Sequence, residues 1–154
     1  MLRLSLAALA VAAGLSGVSH AQSCESDPEF AAHRTANGSI RAQYNAVSRG
    51  EWPEAIHFGN EIANSGQQKM HRAAALNNLC YAYAATARFD EAVEACTSSL
   101  ELRENNWRAL NNRGAAHWLA GDRAAAAADF AAAQAEAPRE DEVEANAALI
   151  ACAS

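Results

Sequence analysis

The feature that most constrains this chain is that it repeats itself. Ala75-Leu76-Asn77-Asn78 returns as Ala109-Leu110-Asn111-Asn112, 34 residues on. Phe89-Asp90-Glu91-Ala92 aligns with Arg123-Ala124-Ala125-Ala126 at the same offset, and Trp52-Pro53-Glu54-Ala55 precedes the former by 37. A unit this short buries its apolar face only against the next copy, so the expected form is a stack. Inside the units the period is helical. Leu76, Leu79 and Tyr83 fall at i, i+3 and i+7, on one helix face. Ala124 to Ala137 is almost all alanine, the strongest helix former. Pro53 stands near a helix start, where its missing N–H costs nothing. Pro138 closes the alanine-rich helix. Gly114 and Ala126 are small enough to let two antiparallel helices approach closely.

A period of 34 built from two helices resembles the tetratricopeptide repeat (TPR) family. The third unit carries the likeness best: Leu110, Gly114, Ala126, Phe130, Ala133 and Pro138 take the large, small, small, aromatic, small and terminating positions, and Gly121-Asp122 makes the turn. Arg113 and His117 depart from the usual apolar residues. In the second unit Leu76, Leu79, Tyr83, Ala92 and Leu100 fit, with Cys80 and Cys96 in the small and aromatic positions. In the first, Gly50, Trp52 and Ala55 fit, but Gln43 stands where a small residue belongs, which predicts a first helix shifted in register. The resemblance implies an all-α fold, a short right-handed superhelix of about three helix-turn-helix repeats over 36–138. Residues 139–154 are then a C-terminal capping helix, opened by Glu140, Asp141, Glu142 and Glu144. Residues 22–35 read as a loop or a short helix.

Residues 1–21 have the layout of a secretory signal peptide: Arg3, an uncharged run from Leu4 to Val18, and Ser19-His20-Ala21 before a cut. The run is shorter than the ~18–20 residues that span a bilayer. The expected location is therefore the periplasm or the outside of a bacterium. Removing Arg3 leaves eleven basic against eighteen acidic residues, a net charge of −7. Such a chain offers phosphates no counterion surface, which argues against nucleic acid or an anionic membrane as partner.

An oxidising compartment makes disulfides plausible. Cys80 lies seven residues before Ala87 and Cys96 eight after Arg88, so the two face each other across one helical hairpin and are expected to bond. Cys24 and Cys152 are left near opposite ends of the array. A bond between them requires the N-terminal segment to run back along it; buried thiols or bonds to another molecule remain open. No C-x-x-C occurs.

Chemistry is not written into the sequence. His33, His57, His71 and His117 lack paired metal spacing, and no nucleophile elbow, phosphate loop or dinucleotide loop is present. No enzyme activity, cofactor or metal is expected, and His117 reads as a core histidine. The asparagines are more informative, because Asn is a weak helix former and two successive first helices carry it doubled. The resemblance places these helices on a concave groove, where Asn78 and Asn112 fall at positions that bond a bound peptide's backbone. An amide both donates and accepts, so it can satisfy a whole peptide unit. Asn77, Asn78, Tyr81, Arg108, Asn111, Asn112 and Trp118 are the candidate groove residues. The competing assignment has the Asn pairs bonding neighbouring helices. Asn112 also replaces a basic residue and Arg41 an expected Asn, so the carboxylate clamp of some members is incomplete. The expected function is a protein-interaction module for a peptide or protein partner. The alternative is a structural or assembly subunit, including a homo-oligomer.

Overall fold

The computed structural model describes residues 26–153, and the expected leader, with Cys24, lies outside them. Seven α-helices and no strand occur among the described residues: α1 (Gly38–Arg49), α2 (Trp52–Ala63), α3 (Lys69–Ala85), α4 (Phe89–Leu102), α5 (Trp107–Ala120), α6 (Arg123–Glu136) and α7 (Asp141–Ala153). Consecutive helices pack as antiparallel hairpins. The first helices α1, α3, α5 and α7 also approach closely in succession, whereas the backbones of α2, α4 and α6 stay farther from one another. The stack is therefore drawn together along its first helices and splays along its second ones.

Each hairpin turns by the same device. Gly50 (φ 69°), Ala87 (φ 57°) and Gly121 (φ 89°) occupy equivalent left-handed positions. The next N–H reaches back to close the helix: Glu51 to the carbonyl of Ala46, Arg88 to Tyr83 and Asp122 to His117, each at 2.9 Å. Ala87 adopts this conformation against the steric cost of its Cβ. Asn37 caps α1 by accepting from the Ser39 and Ile40 amides, and Asp122 caps α6 through Ala125 N–H.

The centre of each hairpin is one contact solved three ways. In the third, Gly114 faces Phe130, whose ring lies 2.8 Å from where a Cβ would stand. In the second, the equivalent residues are Cys80 and Cys96, joined as a disulfide as expected. In the first they are Gln43 and Gly59, so the large and small partners have changed helices. A Cβ on Gly59 would collide with Gln43 Nε2 and with Leu79. This corrects the expectation of a shifted register. Gln43 is accommodated because Gly59 makes room, and its buried amide donates to the carbonyls of Ala55 and Ala75.

Arg113, which departs from the apolar pattern, makes a two-pronged ion pair with Asp129 of α6 (2.8 and 2.7 Å) and donates to Thr97 of α4. It thus ties three helices together, and Asp129 also lies 4.0 Å from His117. Cys152 is disulfide-bonded as well. No helix among the described residues is long and apolar enough to cross a membrane.

Candidate functional site

The concave side is lined by the expected asparagines, and it is occupied. Residues 26–36, neither helix nor strand, run as a strap along α7, α5 and α3 before entering α1 at its Asn37 cap. The segment left open between loop and short helix is therefore an extended one. Its course is opposite to the order of the repeats.

The strap is held by its backbone. Glu29 N–H donates to Asn146 Oδ1 (2.8 Å), Ala31 N–H to Asn112 Oδ1 (2.7 Å) and His33 N–H to Asn78 Oδ1 (2.6 Å). The same amides return a donor: Asn146 Nδ2 to the Glu29 carbonyl (2.8 Å), Asn112 Nδ2 to Ala31 (3.0 Å) and Asn78 Nδ2 to His33 (3.0 Å). Alternate residues of an extended chain point their backbone groups the same way. One Asn from each of α3, α5 and α7 thus grips every second residue.

The first Asn of each pair reinforces the grip. Asn77 donates to the Ala31 carbonyl (3.0 Å) and Asn111 to Glu29 (2.9 Å). The pairs also bond across the repeats, Asn112 Nδ2 to Asn77 Oδ1 (3.2 Å) and Asn146 Nδ2 to Asn111 Oδ1 (2.9 Å). The doubled Asn thus do two things at once: they hold the backbone of the chain's own strap and they bridge neighbouring helices. All four are 0% exposed. Asn146 was not among the expected groove residues, although it repeats Asn112 at the 34-residue period; Ala145 in place of a first Asn hides it.

The strap's side chains are seated too. Phe30 stacks on Tyr81, centroids 4.7 Å apart and planes within 10°, and packs against the cluster containing Trp118, Phe130 and Leu149. Ala32 packs against the cluster of Ala46, Val47, Ala55 and Ala82, beside Trp52 and Tyr81. Pro28 is buried, and Ala31 has no exposed surface at all. Phe30 thus links Tyr81 to the cluster that contains Trp118. Burial raises the Tyr81 phenol's pKa.

Arg108 lies at the His33 end of the strap, stacked over the Trp107 ring at 4.1 Å. Burial lowers its pKa; Glu140 and Glu142 work against that, and Arg103 adds to it. His33 is pushed down to about 4, by burial first and then by Arg108 and Arg103. Its ring is held neutral, and its buried Nδ1 has no hydrogen-bond partner. No group of three or more His, Cys, Asp or Glu side chains among the described residues could hold a metal.

Comparison with known proteins bears on the fold. No family model matches the chain. The peptidyl-prolyl cis-trans isomerases FKBP4 of Mus musculus and Rattus norvegicus are each 34% identical to it over 77 residues, 49% of this chain and 17% of theirs. The chain thus corresponds to about a sixth of the length of these relatives. Among solved structures, the Arabidopsis OM64 TPR domain superposes with a TM-score of 0.62 and 24% identity, covering 71% of this chain and 88% of that one. The fold is that of a TPR-type helical array.

Proposed function

We propose that this chain is an exported, non-enzymatic interaction module whose concave groove takes an extended segment of a protein partner. The observation that carries the reading is the pairing of Asn78, Asn112 and Asn146 with both backbone groups of His33, Ala31 and Glu29. An amide set that satisfies a peptide backbone from one side is indifferent to the sequence it holds, so the strap stands where a partner's chain could lie. The likeness to TPR domains supports the interaction role. The Cys80–Cys96 bond supports an oxidising compartment such as the periplasm.

The alternative role, an assembly subunit working through its outer faces, draws support from the same strap, because a filled groove leaves α2, α4 and α6 as the open surface. A photo-crosslinking residue separates the two. Placed at Tyr81 in the exported chain, it should join the strap and, in addition, a partner's peptide. Partner crosslinks arising from the outer position Val93 and never from Tyr81 would refute the groove reading.

A further inference from the structure

We propose that the groove selects its partner by an aromatic residue followed directly by a small one on an extended segment, Phe30-Ala31 being the chain's own copy of that signature. The inference rests on the groove-binding reading above and adds what side chains the guest must carry.

The asparagine amides cannot choose among sequences, because every residue except proline offers the same N–H and C=O. Choice must come from the seats between them. One seat is aromatic and deep. Phe30 lies flat on Tyr81, tilted Trp52 backs Tyr81 at 5.7 Å, and the far side of the seat is the Trp118 cluster. Offset-stacked rings of this kind contribute beyond their buried area, so an aliphatic guest would fill the seat less well.

The next seat is closed. Ala31 is fully buried, with Asn112 and Asn77 on its backbone atoms. A larger side chain there must push the strand away from the amides that hold it. By contrast, Asp27 is exposed, and exposed Arg34 only lies over the Tyr44 ring at 5.9 Å. The readable core is therefore aromatic–small, set between buried Pro28 and the packed Ala32.

The strap then acts as a tethered competitor. It is joined to α1 through Asn37 and so is present at high effective concentration, in the millimolar range for a short link. A free segment with the same signature can enter only when the strap is weakened or when the guest fits its seats better.

The test uses the full chain bearing Phe30→Ala, which empties the aromatic seat while the scaffold is intact. A fluorescein-labelled peptide with the sequence of residues 27–35 is titrated by anisotropy, alongside versions carrying F30A, A31L or D27N. The parent and D27N peptides should bind within about twofold of each other, with F30A and A31L at least tenfold weaker. The native chain should bind the parent peptide at least tenfold more weakly than the variant does. A second chain, Ala31→Glu, loosens the strap at its closed seat and gives an independent host should the first misfold. If all four peptides bind alike, the signature is wrong while the groove reading stands. If neither host binds any peptide yet both keep helical circular dichroism, the groove reading falls as well.

Discussion

Asn112 is the residue at which the strap's attachment can be weighed. Its amide accepts from Ala31 N–H at 2.7 Å and donates to the Ala31 carbonyl at 3.0 Å and to Asn77 Oδ1 at 3.2 Å. In Asn112→Ala the Ala31 carbonyl keeps Asn77 as donor, but its N–H, buried in a residue with no exposed surface, loses its partner. An orphaned buried donor costs about 1–3 kcal/mol, and the space left by the amide adds to that, so the expected loss is about 2–4 kcal/mol. Asn77→Ala removes a second donor from the Ala31 carbonyl and an acceptor of Asn112 Nδ2, which should cost about 1–3 kcal/mol, but it leaves every Ala31 backbone group paired. Urea unfolding of the full chain, followed by far-UV circular dichroism, gives both values, and hydrogen exchange at Ala31 gives the local one. In the native chain that amide should be protected far beyond an exposed loop amide, and Asn112→Ala should erase the protection. If Asn112→Ala costs under 0.5 kcal/mol, or leaves the Ala31 amide as protected as Asn77→Ala does, the strap does not lie in the groove in solution and the reasoning fails.

Other expectations concern the scaffold. Replacing both Cys80 and Cys96 by Ala opens a loop with a sequence separation of 16 and should lower stability by about 3 kcal/mol, read as a fall in Tm. Gly59→Ala and Gly114→Ala each drive a Cβ into a neighbour and should cost about 1–3 kcal/mol by denaturant unfolding. Ala87→Gly relieves a left-handed alanine and should raise stability by about 0.5–1 kcal/mol, the entropy of the unfolded chain offsetting part of the gain. His33 has its folded pKa lowered from 6.5 to about 4. The released or unfolded strap then binds a proton that the folded one refuses. The His33 contribution is full above about pH 6.5 and is lost as pH falls towards 4. His33→Asn should flatten that stretch of a Tm-against-pH curve.

The scaffold was legible because it repeats. The 34-residue offset follows from the chain's self-similarity, the turn residues Gly50 and Gly121 from the resemblance it carries, and the position of Cys80 opposite Cys96 from helix geometry. Gln43 misled because a single position was judged without its partner: the small residue had moved to Gly59 on the facing helix. Asn78 and Asn112 were found by their oddity in a helix. Asn146 obeyed the same period but stood alone. The strap left no trace at the level of pattern. Pro28, Phe30, Ala31 and Ala32 show neither helical nor strand periodicity, since their order is imposed by amides 45 to 117 residues away in the chain.

The amide ladder also sets an exchange rate between scaffold and guest. Neighbouring helices stand ~8–10 Å apart, and an extended chain advances ~6.6–6.8 Å over two residues; the inward reach of the asparagines closes the gap. Every helical hairpin inserted into this array with an asparagine at the rung position would therefore grip two more residues of whatever lies in the groove. The length of chain that can be captured is counted in hairpins, and the register of capture can step by whole rungs only.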